Sequence, residues 1–322
     1  MRSVLVTGAT GFVGRFLCAE LVAKGWLVRA AIKSEEDIMR LPQGVQPVIM
    51  GFIGPDTEWV RALSGVEIVF HLSARVHVVN EQASDPMSAF RRDNAAGTER
   101  LAREAVAAGV KRLVFTSTIK VNGEVTSEPL TPDSPPQPSD PYSISKWEAE
   151  QILRAIGSET ALEVVIVRPP LVYGPEVKAN FLSLMKIVHR GMLLPLASVS
   201  NKRSLIYVEN LVDALIVCAG HPAAAGKTYL VSDGDDVSTP ELVRRLASGL
   251  RKPARLIPFP PSLLRLAGRI TGNSAAVDRL LFSLFVDSGK ICKDLDWQPP
   301  FPMMEGLRKT GEWFMRTSKI YG

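Results

Sequence analysis

Tyr142 and Lys146 stand four residues apart. Residues three or four apart on a helix share a face, so the phenol and the ammonium would project together. Tyrosine ordinarily titrates near 10, and a neighbouring positive charge favours the phenolate. Hydride reduction of a carbonyl leaves an alkoxide that needs a proton, and the reverse reaction needs a base for an alcohol. A phenol made acidic by Lys146 would serve both directions. Upstream, the apolar run 112–116 ends in Thr116, Ser117 and Thr118. Thr118 is the hydroxyl expected to polarise the substrate oxygen, with Ser117 as its stand-in, and Lys146 could also bond a nicotinamide ribose. A Tyr/Lys pair by itself could be an ordinary surface pair. It gains meaning from a hydroxyl-ended strand before it and a glycine loop at the N-terminus.

That loop is Thr7-Gly8-Ala9-Thr10-Gly11-Phe12-Val13-Gly14, directly after the apolar Val4-Leu5-Val6. Glycines allow the tight turn, the approach of backbone to a pyrophosphate and close helix–strand packing. The helix that follows presents free N–H groups and a partial positive charge to the phosphates. A dinucleotide is therefore expected here. An acid about 20 residues further on would bond the ribose hydroxyls of NAD. Here Ile32, Lys33 and Ser34 occupy that place, with Arg29 close by and no acid before Glu35. A cation without an acid favours the 2′-phosphate of NADP(H). If Lys33 is an ordinary solvated lysine, NAD binds instead.

These residues need a frame. Runs 3–6, 27–32, 45–50, 68–72, 112–116 and 164–167 read as strands without polar alternation, and 12–23, 56–63, 93–108 and 142–156 read as helices between them. Such alternation predicts an α/β protein with a doubly wound, Rossmann-type parallel sheet and ligands at the carboxyl ends of its strands. After Pro169 prolines become frequent and helices dominate, at 179–190, 239–250, 263–270 and 304–317. The expected division is a dinucleotide-binding domain over 1–171, joined by a return segment at about 204–232 with a strand-to-helix passage at 207–219. A smaller, mostly helical substrate lobe would comprise 172–203 and 233–322.

The 322 residues are 46% hydrophobic, enough for a sizeable core, and the excess of 38 basic over 33 acidic residues is spread along the chain. The spread suits a small anionic ligand and does not indicate nucleic acid. Cys18, Cys218 and Cys292 are far apart and odd in number, and His71, His77, His189 and His221 complete a poor ligand set, so no metal site is expected. A reduced, cytoplasmic setting follows. No apolar run reaches the ~18 residues of a membrane span, and a strand starting almost at Met1 leaves no room for a signal peptide.

Read together, the sequence resembles the extended short-chain dehydrogenase/reductases, the nucleotide-sugar epimerase/dehydratase family. The likeness rests on TGATGFVG (7–14), VFHLSA (69–74), Asn94 in DNAAGT, FTST (115–118), YSISK (142–146), RPPLVYGP (168–175), KRSLIYVENL (202–211) and LDWQPP (295–300). The resemblance implies Thr118, Tyr142 and Lys146 as catalytic residues. It implies a cofactor held around Gly8, Thr10, Gly11, Phe12, Val13, Gly14, Lys33, Leu72, Ser73, Ala74, Asn94 and Lys146, with Asn94 supporting the lysine geometry. Arg203 falls where relatives bind a nucleotide diphosphate, and Asn180 where they contact substrate phosphate or sugar. A second diphosphate arginine is missing before LDWQPP; Arg279 is either its replacement or the one exposed arginine of an amphipathic core helix. Gly51-Phe52-Ile53 lacks the acid that relatives direct at the adenine.

Thr118 is followed by Ile119-Lys120, where 4,6-dehydratases carry Asp-Glu, so dehydration is disfavoured. Two reactions at C4 of a UDP-hexose remain, reduction of a 4-keto (6-deoxy-N-acetyl) sugar and 4-epimerisation with tightly held NAD. Lys33 tilts the expectation toward the reductase. A silent NADP-binding scaffold and oxidation of a steroid- or flavonoid-type alcohol are the remaining readings. The resemblance also implies a homodimer through the helices at 93–108 and 142–156.

Overall fold

A computed structural model of the chain describes residues 2–76 and 85–318; His77 lies outside them. The strands are β1 (Ser3–Thr7), β2 (Leu27–Ile32), β3 (Gln46–Ile49), β4 (Ile68–His71), β5 (Arg112–Thr116), β6 (Glu163–Arg168), β7 (Leu171–Tyr173), β8 (Leu205–Tyr207) and β9 (Thr228–Leu230). Seven of them form one parallel sheet in the order β3-β2-β1-β4-β5-β6-β9. This is the doubly wound Rossmann arrangement with one strand added, and its order reverses between β1 and β4, where a crevice opens at the strand ends. Buried on both faces, the strands split their side chains between two cores. Val4 and Val6 belong to one, and Leu5, between them, belongs to the other.

The crossovers carry α1 (Phe12–Ala23), α2 (Val60–Leu63), α3 (Pro86–Phe90), α4 (Gly97–Ala107) and α5 (Pro141–Glu159). After β7 come α6 (Ala179–His189), α7 (Val208–Gly220), α8 (Thr239–Gly249), α9 (Pro261–Ile270), α10 (Ser274–Leu281), α11 (Gly289–Leu295) and α12 (Met303–Ser318). Leu17 and Leu21 of α1 share the first core with Leu211 and Leu215 of α7. Leu101 of α4 and Leu153 of α5 fill the second. A third core joins α6, α8 and α12 through Met185, Leu246 and Leu307.

Three expected elements differ. The helix expected over 56–63 is a single turn, Val60–Leu63, because the preceding residues fold otherwise. Thr57 closes a turn on Gly54, and the Trp59 N–H donates to the Glu104 carboxylate instead of to a helical carbonyl. The helix expected over 93–108 opens as a π-helical turn, Arg91–Ala96, and becomes regular at Gly97. The strand of the return passage, β8, pairs with β7 in a separate two-stranded sheet, and β9 is the strand that rejoins the main sheet beside β6.

Candidate active site

The glycine loop lies at the carboxyl end of β1. Gly8 has φ +69°, and a side chain there would meet the Ser73 nitrogen at 2.8 Å. A Cβ on Gly14 would fall 2.1 Å from the Gly8 carbonyl oxygen, so α1 can lie this close to the turn with glycine alone. The helix starts after Gly11 with no side-chain cap and no acid in its first turn. Its leading N–H groups, from Phe12 and Val13 on, thus fit a phosphate. The backbone cradle and the uncapped helix end match what a dinucleotide requires.

At the end of β2 the cleft is lined by Gly8, Thr10, Ile32, Lys33, Gly51 and Ser73. The Lys33 ammonium rests 4.5 Å from the centre of the Phe52 ring, which is itself 80% exposed. Phe52 thus presents an apolar ring to this corner. Arg29 is not part of this corner. Its guanidinium donates to the carbonyls of Ala62 and Ser64, because it lies three residues before the strand end. An acid does reach the corner: Asp37 folds back to accept from the Lys33 N–H at 3.2 Å and from Arg40 at 3.3 Å. Sequence reading stopped at Lys33 and missed it, since only the tight 3-10 turn Glu35–Arg40 returns that carboxylate to the strand.

The loop after β4 holds Leu72, Ser73 and Ala74 against the glycine turn. The Ser73 N–H donates to Thr7 Oγ1 at 3.1 Å and the Leu72 N–H to the Thr7 carbonyl at 3.3 Å. Beneath it His71 joins Thr7 Oγ1 (2.7 Å, Nδ1) to Thr98 Oγ1 (2.8 Å, Nε2). Thr98 spends its own proton on the Asn94 carbonyl, so Nε2 of His71 is the donor and Nδ1 accepts from Thr7. Burial, with the Lys146 charge adding to it, pushes His71 down to about 3 and keeps it neutral. Asn94, in the π-helical turn, accepts from the Arg75 N–H (2.6 Å) and donates to the Arg75 carbonyl (3.0 Å) and to Ser145 Oγ (2.9 Å). It thereby ties the β4 loop to the residue before Lys146.

Tyr142 and Lys146 occupy one face of α5. The helix starts at a capping box in which Asp140 accepts from the Ser143 N–H, with Pro141 in its first turn. The Lys146 ammonium is buried and lies 3.7 Å from the centre of the Phe115 ring. Burial draws its pKa down to about 7. Tyr142 departs from expectation. Its phenol is pushed up to about 12, by burial first and by the Asp140 carboxylate second. Desolvation of the phenolate thus sets the direction of the shift, and the neighbouring carboxylate adds to it.

Thr118 caps the 3-10 turn Ile119–Val121, accepting from the Lys120 N–H at 3.3 Å, and remains half-buried. Ser117 is not its stand-in. Strand alternation turns it to the other side, where it is buried and donates to Glu150 Oε1 at 2.5 Å. Glu150 was not singled out from the sequence, though it lies one further helical turn along the Tyr142–Lys146 face. It is fully buried and also accepts from Arg168 (2.9 and 2.5 Å) and Arg154 (3.1 Å). Arg168 in turn reaches Asn122 at 2.9 Å. The network fixes the ends of β5 and β6, the close of the 3-10 turn at Asn122 and the middle of α5 to one another.

On the lobe side, Arg203 is pinned by paired backbone bonds to Val237. Its half-buried guanidinium donates to the carbonyl of Arg279 in α10. Burial, then the Arg279 charge, lowers the Arg203 pKa. The fold thus brings together two arginines 76 residues apart. Asn180 is exposed in the first turn of α6, just after Ala179 in the left-handed region at φ +52°. Among the described residues no cluster of His, Cys, Asp or Glu could hold a metal ion.

Residues 4–232 match the family described as "NAD dependent epimerase/dehydratase family", which is well over half of the chain. The chain belongs to that family. A UDP-glucose 4-epimerase of Vibrio cholerae is 41% identical over 324 residues, covering 98% of this chain and 97% of its own. A 2-alkyl-3-oxoalkanoate reductase of Stenotrophomonas maltophilia is 29% identical, covering 95% of this chain and 97% of its own. Among solved family structures, MoeE5 in complex with UDP-glucuronic acid and NAD superposes with a TM-score of 0.78 at 26% identity, covering 98% of this chain and 99% of that one. The family's NAD dependence agrees with the glycine cradle and the uncapped start of α1 at the end of β1.

Proposed function

We propose that the protein interconverts the C4 epimers of a UDP-linked hexose with tightly held NAD. The observation carrying this reading is the 41% identity, along nearly the whole of both chains, to a UDP-glucose 4-epimerase. The residues after Thr118 agree: Ile119 and Lys120 provide no pair of carboxyl groups for a dehydration, and the Lys120 ammonium is held by Asp140 and Glu124. Asp37 supports NAD, because a carboxylate at the end of β2 would repel a 2′-phosphate. The NADP(H) preference expected from Lys33 loses force, since that ammonium is drawn onto the Phe52 ring.

Bound NAD would supply a carbon that takes hydride from C4 and returns it, and its ring charge would add to that of Lys146. Gly8, Thr10, Gly11, Phe12, Val13 and Gly14 would hold its phosphates, with Lys33, Leu72, Ser73, Ala74, Asn94 and Lys146 around the rest. Tyr142 would take the proton from the C4 hydroxyl and give it back to the keto oxygen after the sugar has presented its other face. Thr118 would hold that oxygen by a hydrogen bond. Arg203 and Arg279 would bind the diphosphate, a task suited to guanidinium forks, and Asn180 the adjoining phosphate or sugar. The reading includes a cytoplasmic homodimer built on α4 and α5.

Reduction of a UDP-linked 4-keto sugar is the second reading, the one that Lys33 suggested in the sequence. Purified protein incubated with UDP-hexoses and with their 4-keto derivatives separates the two. Interconversion of C4 epimers without net change in nicotinamide absorbance is expected. Stoichiometric consumption of NADPH on a keto sugar, with no epimer formed, would replace the epimerase by the reductase.

A further inference from the structure

Helix α9 presents an apolar stripe to solvent. Leu263, Leu266 and Ile270 are 47%, 52% and 77% exposed, and Ala267 joins them at the spacing of one helical face. The opposite side is satisfied: Leu264 packs with Val277 and Leu280 of α10, and Gly268 lies so close that a Cβ would meet Val277 at 2.8 Å. The stripe is therefore the outward face of a helix already seated on the lobe. Adjoining segments extend it, since Leu194 and Leu256 form a bridge beside Leu264 while Leu193 and Ile257 next to them are exposed.

Charge selects the occupant. From residue 251 to residue 277 the chain holds Arg251, Lys252, Arg255, Arg265 and Arg269 and no aspartate or glutamate. All five cations are exposed. Arg265 and Arg269 border the stripe on α9 itself. A second copy meeting this face by a twofold axis would set the cations against themselves. An anionic bilayer accepts both features, taking the leucines and the isoleucine into its boundary layer and the arginines onto its headgroups.

We propose that α9 and the basic segment before it form a docking surface for an anionic lipid bilayer. The protein would lie on the membrane without crossing it; among the described residues no helix is long and apolar enough to span. Because α10 carries Arg279, docking through α9 would bring the Arg203–Arg279 pair close to the lipid surface. The proposal is independent of which reaction is catalysed at C4.

The test is co-sedimentation of the full chain with vesicles of phosphatidylcholine alone and of phosphatidylcholine with phosphatidylglycerol. Binding only to the phosphatidylglycerol vesicles is expected, with release at ~0.5 M salt as screening shortens the reach of the charges. Leu266→Gln/Ile270→Gln and, separately, Arg265→Gln/Arg269→Gln should each weaken binding at least tenfold while melting temperature stays unchanged. Absence of binding to anionic vesicles, or binding undiminished in both variants, would overturn the proposal. So would gel filtration in which the Leu266→Gln/Ile270→Gln change dissociates an oligomer, since the stripe would then face another copy.

Discussion

At the scale of single residues, the titration of half-buried Tyr142 and buried Lys146 opposes a simple phenol–ammonium picture. Tyr142 is pushed up to about 12 and Lys146 down to about 7, both chiefly by burial. At neutral pH the phenol is protonated, so forming a phenolate depends on additional positive charge near the ring. Replacing Tyr142 by Phe should reduce turnover by about 10²–10⁴-fold while leaving dinucleotide affinity within a few-fold, measured by single-turnover kinetics and calorimetric titration. Glu150 acts through others. Its fully buried carboxylate holds buried Ser117 and Arg168 and is reached from the surface side by the half-exposed Arg154. Glu150→Ala would leave the buried Arg168 guanidinium without its ion pair, and a loss of about 3–5 kcal/mol in urea unfolding is expected. Glu150→Gln, retaining shape and one acceptor, should cost less. Equal losses in the two variants would mean that the charge of Glu150 contributes little.

At the scale of elements, the crevice depends on how closely α1 approaches the β1 turn. The missing Cβ of Gly14 sets that approach, with the Gly8 carbonyl only 2.1 Å from where the atom would be. Gly14→Ala must therefore displace the helix end that fits the phosphates. Dinucleotide affinity should fall by at least tenfold, while far-ultraviolet circular dichroism changes little; unaltered affinity would show that the phosphates bind elsewhere. On the other flank, the π-helical turn Arg91–Ala96 orients Asn94 toward both Arg75 and Ser145. A regular helix would rotate that amide, which gives a physical reason for an unusual turn at this place.

For the whole molecule, the relay from Ser73 through Thr7, His71 and Thr98 to Asn94 spans the switch point of the sheet and requires a neutral imidazole. His71 is pushed down to about 3 in the folded protein, against an unfolded value near 6.5. Above pH 6.5 it is neutral in both states and adds no pH dependence. As pH falls from 6.5 toward 3 the unfolded chain gains a proton that the folded one refuses, so stability declines, by about 2 kcal/mol at pH 5. Urea midpoints at pH 7 and pH 5 should differ more in the wild-type protein than in His71→Gln. Identical differences would remove His71 as the cause.

What could be read along the chain is local in origin. The unbroken apolar strands, the glycine spacing and the Tyr142–Lys146 pair each follow from the pleat, a backbone clash or the helical repeat, and they sufficed for the sheet, the glycine turn and the shared helical face. Residues joined by long-range packing were beyond that reach. Asp37 counts because a tight turn returns it to the end of β2, Ser117 is lost to the site because strand alternation aims it at Glu150, and Arg279 gains its meaning from touching Arg203. The direction of the Tyr142 shift also belongs to the tertiary structure: sequence spacing supplies a neighbouring charge, whereas the penalty of removing a phenolate from water depends on everything folded around it.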